Sequence, residues 1–157
     1  MQTPSGATLS ADSPELLAEL EALSGRPLHR LTNYRGSFDV AGIAIIAHST
    51  VRALAKASET AEDPGRYRMT FTVETGDDRP FVENDWVGHV LRIGETARVA
   101  ITERDKRCVM ITLDHQTSAG SPRILRAAAE LNDACAGAYG SVITVGSVRE
   151  GDTVSVE

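Results

Sequence analysis

The run ERDKRCVMITLD, residues 103–114, sets Cys108 behind five consecutive charged residues and ahead of a short apolar stretch. A thiolate, not a thiol, attacks electrophiles and ligates metals, and neighbouring cations favour the thiolate. Arg104, Lys106 and Arg107 all fall within four residues of Cys108. Read as a strand, the segment gives Val109, Ile111 and Leu113 one apolar face, with Cys108, Met110 and Thr112 on the other. Two readings stand side by side: a thiol ready for chemistry, or a small strand-start residue behind a solvated turn. Cys135 reads differently. It extends the apolar stripe of Ile124, Leu125, Ala128 and Leu131 along a helix, where free cysteine packs as a small hydrophobe.

A second constellation lies in RYRMTFTVE, residues 66–74. Strand alternation puts Tyr67, Met69, Phe71 and Val73 on one face and Arg66, Arg68, Thr70 and Thr72 on the other. Two guanidinium groups and a hydroxyl on one face suit a phosphate or another planar anion, because arginine offers bidentate donors. The competing reading is a solvated strand face. His29, His48, His89 and His115 show no metal-ligand spacing such as HExxH. A Cys108–His115 nucleophile pair is disfavoured, since seven residues of strand span roughly 23 Å. GSFDVAG and ACAGAYG contain glycine but lack the spacing of nucleotide-binding loops.

These groups need elements to position them. SPELLAELEALSG reads as a helix with Asp12 or Ser13 as N-cap, Pro14 in the first turn and Gly25 just past the end. A second helix runs from Ser49 to about Ser58, and a third opens at Ser121-Pro122. Short runs at HVLRIG, ARVAIT, CVMITL and YGSVITVG read as strands, and VREGDTVSVE closes with a Gly-Asp turn and a last strand. The pattern predicts an α+β fold, mainly β, with a bent sheet or barrel and about three helices. Residues 1–10 read as a flexible lead and 11–157 as a single domain.

The totals limit what this domain can do. A chain of 157 residues, 41% hydrophobic and 24% charged, can bury a core without disulfide staples. A net charge of −6 argues against non-specific nucleic-acid binding, which needs clustered cations. Two cysteines match neither a zinc pair nor a secreted disulfide framework. No basic and apolar export signal opens the chain, and no apolar run reaches the roughly 20 residues of a membrane span. The expected setting is a reducing cytoplasm.

The order of these motifs resembles the MOSC family, the module at the C-terminus of molybdenum cofactor sulfurases and in the mitochondrial amidoxime-reducing component. The resemblance runs from about LSGRPLHRL to the end, through RYRMTFTVE, FVENDWVGHVLRIG, RCVMITLDHQTSAG and AGAYGSVITVGSVREGDTV. It implies a β-barrel-like fold whose RC cysteine, here Cys108, ligates molybdenum or carries sulfur as a persulfide. It places Arg66 and Arg68 where the pterin phosphate is held, with Thr50 of AHSTV in the same role. Arg107, Thr112 and Thr70 fall in the motifs that line the cofactor. Thr70 stands where the family has Asn, Met69 where it has Pro, His115 where it has the Pro after LD, and Ile111 where it has the first Thr of a pair. Relatives of this kind also carry a β-rich segment ahead of the module. Without it the chain is a fragment, pairs with a second copy or another protein, or has lost cofactor binding.

The resemblance therefore implies a molybdenum-cofactor-binding or sulfur-carrying domain, with molybdopterin as the small anionic cofactor. In an oxidoreductase setting, electrons would arrive from a separate redox partner. The alternatives are a cofactor-free MOSC-like binding or assembly module, a homodimer among its forms, and a thiol enzyme using Cys108 on an unrelated substrate.

Overall fold

In the strand β1, Ile43–Ala47, successive side chains point to opposite faces, and this strand has apolar partners on both. Ile45 and Ala47 join Val82, Trp86, Leu91, Val99, Ile101 and Ala138 in one core cluster. Ile46 joins Val51, Leu54, Tyr67, Ile111, Ile124 and Ala136 in the other. One strand thus divides the interior into a sheet-lined side and a helix-covered side.

The computed structural model describes residues 1–31 and 40–157. It divides into two compact units, Met1–Ser37 and Phe38–Glu157. In the first, Gln2 and Thr8 close a small antiparallel bridge ahead of α1, Pro14–Ser24. Ser13 caps α1 by accepting the Leu16 N–H at 3.1 Å, and Gly25 ends it in the left-handed region at φ 64°. The first four residues of GSFDVAG lie outside the described residues.

In the second unit β1 leads into α2, His48–Ser58, and then to β2, Phe71–Val73. After β3, Val90–Ile93, and β4, Ala97–Lys106, come α3, Pro122–Asn132, β5, Cys135–Thr144, and β6, Val154–Val156. The six strands form one curled half-barrel sheet in the order β2-β1-β5-β4-β3-β6. β1 and β2 pair in parallel, with Ile45 opposite Phe71, and the other ladders are antiparallel. The expected α+β class, mainly β with three helices, is the class observed.

Three expectations for local structure are corrected. Residues 64–67 are a 3-10 turn rather than the start of a strand, and Arg68 takes φ 57°, so the proposed shared face of Arg66, Arg68 and Thr70 does not exist. The physical cause sits upstream: Asp63 accepts the Gly65 N–H at 3.0 Å and Pro64 fixes the first φ of the turn. CVMITL is not a strand either. Val109–Thr112 form a second 3-10 turn, in which the Thr112 hydroxyl donates back to the Val109 carbonyl at 2.7 Å. Cys135 is buried as expected, but it opens β5 instead of extending α3. Asp133 and Ala134 both adopt positive φ and end the helix before the stripe can reach it.

Gly137 in β5 shows how closely the layers approach. Its φ is +97°, and an added Cβ would lie 2.9 Å from the Ile45 carbonyl oxygen and 2.3 Å from the Met69 methyl. Gly137→Ala is therefore expected to cost about 3 kcal/mol, from backbone strain and overpacking together. Urea titration of the variant against the parent protein measures the loss.

Candidate functional site

The two 3-10 turns that interrupt the expected strands face one another. Between them opens a cleft of about 450 Å³, lined by Gly65, Arg66, Arg68, Met110, Asp114 and His115 among others. Arg66 forms the inner wall. It is buried, its Nη1 donates to the carbonyls of Ile111 at 3.4 Å and Thr112 at 3.3 Å, and its Nη2 meets Asp114 at 3.4 Å. Its Nε has no partner. Arg68 is exposed and, among the described residues, its guanidinium makes no hydrogen bond or ion pair. One arginine thus holds the two turns together, and the other offers a free guanidinium to a ligand.

The floor of the cleft is anchored by Asp114. Its Oδ1 accepts from the Thr117 N–H at 2.7 Å, the Thr117 hydroxyl at 2.9 Å and the Gln116 N–H at 3.0 Å. The Thr117 amide first, then its hydroxyl and the Gln116 amide, hold this carboxyl below the usual range, and Arg66 adds to the effect. His115 follows directly. Its Nδ1 lies 2.9 Å from Oδ2 of Asp63, the residue that caps the opposite turn. Neither His115 in this role nor Asp63 was legible as a site residue. They are 52 positions apart in the chain, and only the DPG punctuation of residues 63–65 hints that a cap sits there.

Cys108 is exposed and its thiol makes no hydrogen bond among the described residues. It stands at the entry of the 3-10 turn whose Met110 lines the cleft. The cations beside it are differently employed. Arg107 forms an ion pair with the buried Asp105, donates to the Tyr67 carbonyl at 2.8 Å, and lies over the Tyr67 ring, 5.9 Å from its centre. Arg104 reaches Asp133 at 3.6 Å.

The other expected site residues lie elsewhere. Thr50 is fully buried, donating to Glu83 at 2.9 Å and accepting the Phe81 N–H at 2.7 Å. Thr112 is buried with its hydroxyl on Val109. Thr70 accepts the Ala44 N–H at 3.1 Å and lines a separate cleft of about 770 Å³ between β2 and residues 148–154. That larger space carries Glu74, Glu150 and Asp152 against Arg149, so its charge does not suit an anion. The structure brings Arg66 and Arg68 together beside the Cys108 turn and leaves Thr50 and Thr70 apart.

The site is an arginine-lined cleft next to the turn that an exposed thiol opens. The MOSC domain model matches residues 36–155, and the chain belongs to this family. The crystal structure of YiiM from Geobacillus stearothermophilus is similar in fold, with a TM-score of 0.58 at 15% identity. The likeness covers 74% of this chain and 54% of that one, so the chain spans about half the length of that protein. No curated protein matches the sequence.

Proposed function

We propose that this MOSC domain binds molybdenum cofactor or carries sulfur, with Cys108 as molybdenum ligand or persulfide carrier. The observation that carries the reading is the exposed, unengaged thiol at the head of a turn that walls a cleft lined by arginine. The donor set fits the group. Arg68 is free to meet a phosphate, Arg66 supplies charge from behind, and a thiolate is a soft metal ligand. Among the described residues no three His, Cys, Asp or Glu side chains gather to hold a metal, so the protein's own ligand would be Cys108 alone.

Bound there, the cofactor would supply two-electron redox chemistry that side chains lack. The residues of the chain do the rest. Arg68 binds the anionic end, Arg66 and Thr112 fix the turn, Arg107 clasps the end of β4 to the first turn, and Thr50 ties α2 to residues 81–83. In this reading the domain works in the cytoplasm with a separate redox or assembly partner or a second copy, and not on nucleic acid. No helix among the described residues is long and apolar enough to cross a membrane.

A second reading, a MOSC domain that binds without cofactor, draws on the internal commitment of Thr50, Arg107 and Thr112. Metal and pterin analysis of gently purified protein separates the two, together with intact mass. Molybdenum with pterin, or a sulfur-sized adduct, is expected in the parent and at least tenfold less in Cys108→Ala. Protein free of both, with binding indifferent to Cys108→Ala, would leave the second reading.

A further inference from the structure

We propose that His115, held by Asp63, is the proton-coupled donor of an oxyanion site in the Arg66–Arg68 cleft. The ligand class is a doubly charged tetrahedral anion such as a phosphate monoester, and its binding draws a proton onto the imidazole. The inference deepens the reading above and rests on its placement of an anion in this cleft, not on Cys108.

The geometry of the ring comes first. Asp63 is fixed through both carboxylate oxygens: Oδ1 accepts the Gly65 N–H at 3.0 Å and Oδ2 meets His115 Nδ1 at 2.9 Å. A carboxylate on Nδ1 keeps the proton on that nitrogen and leaves Nε2 as the one unengaged nitrogen of a ring that lines the cleft. The ring is half exposed and rests on the first turn. It lies against Gly65, where a Cβ would come within 2.8 Å of His115 Cε1 and displace the imidazole from this position.

Charge then decides what the ring does. The groups facing it are Asp63, Arg66 and Arg68 from the first turn and Asp114 from the loop after the second. Two arginines against two carboxylates leave the cleft without net charge while His115 is neutral. Of the two cations, Arg66 has both Nη groups occupied by Ile111, Thr112 and Asp114, so the donors left for a ligand are its buried Nε and the guanidinium of Arg68. Protonation of Nε2 adds one positive charge and one donor in the same place, which is what a doubly charged anion lacks there. Asp63 holds the ring from its Nδ1 side. The anion and the proton therefore bind together.

Sulfate is the probe, because it stays doubly charged between about pH 5.5 and about pH 8, where an imidazole changes charge. Calorimetric titration of the full chain should show sulfate binding about tenfold tighter at the lower pH, as one added unit charge at contact distance provides. The heat should depend on the buffer in the sense of proton uptake. His115→Gln should bind weakly with no pH dependence, Asp63→Asn should show a smaller dependence, and Arg68→Ala should bind weakly at both values. In the unaltered protein the ring resonances of His115 should move toward the doubly protonated form when sulfate is added at fixed pH. This last measurement needs no variant to fold. A pH effect that survives in folded His115→Gln, a ring that ignores sulfate, or no sulfate binding at all would overturn the inference. Absence of molybdenum or sulfane sulfur at Cys108 would instead count against the reading above and leave this result standing.

Discussion

Arg107→Ala is expected to lower stability by about 3–5 kcal/mol, the cost of removing one partner from a buried ion pair. For a chain of this size that corresponds to roughly 10 °C in melting temperature. The side chains of Arg107 and Asp105 are 10% and 3% exposed, so water screens the pair little. Arg107 also ties three places together: its guanidinium holds Asp105 and the Tyr67 carbonyl, and its backbone N–H donates to the Ala134 carbonyl at 2.7 Å. Those contacts join the end of β4, the first 3-10 turn and the start of β5 immediately before Cys108. Arg107→Lys keeps the charge but not the planar fork, and should recover only part of the loss. Thermal melts in parallel with sulfate titration decide the role. A variant with native melting but no anion binding would make Arg107 a ligand-contacting residue instead of a clasp.

The sequence showed the scaffold better than the site. β3, β4 and β5 announce themselves through short β-branched runs between glycines, and α1 and α2 through capping and apolar spacing. The RYR segment misled because Tyr67, Phe71 and Val73 are all apolar at even spacing, yet serve different clusters: Tyr67 packs with the helices, Phe71 and Val73 with the sheet. An alternation that spans two elements looks the same as one strand. At residues 108–113 the pattern was equally silent, since Ile111 is buried while Val109 and Leu113 are exposed. The turn there is held by Arg66, which donates to the Ile111 and Thr112 carbonyls from far upstream in the chain. The two arginines that line the candidate cleft, and the thiol at the head of its second turn, could nonetheless be picked out by type, because guanidinium and thiol chemistry do not depend on the backbone that carries them.

Glu83 yields the second large effect. This glutamate of FVENDW is completely buried, with Oε2 accepting from the Thr50 hydroxyl and Oε1 from the Gly137 N–H at 3.0 Å. It ties α2, the 3-10 turn Val82–Trp86 and β5 together, and Glu83→Ala strands a hydroxyl and an amide in the interior. The expected cost is about 2–4 kcal/mol. Burial pushes the Glu83 carboxyl above its ordinary value, outweighing the opposing hydrogen bonds from its own backbone amide, Thr50, Gly137 and Ala47. The sign follows from proton counting. Between the ordinary glutamate value and the raised native one, the folded state binds more protons than the unfolded state, so stability falls as pH rises through that window. Glu83→Gln removes the titration while retaining a carbonyl acceptor for Gly137. Measured by urea unfolding from about pH 5 upward, the advantage of the parent over Glu83→Gln should therefore be largest at the acid end and shrink with rising pH. An advantage that grows with pH would show that the four donors outweigh burial and hold Glu83 as an anion at the centre of the fold.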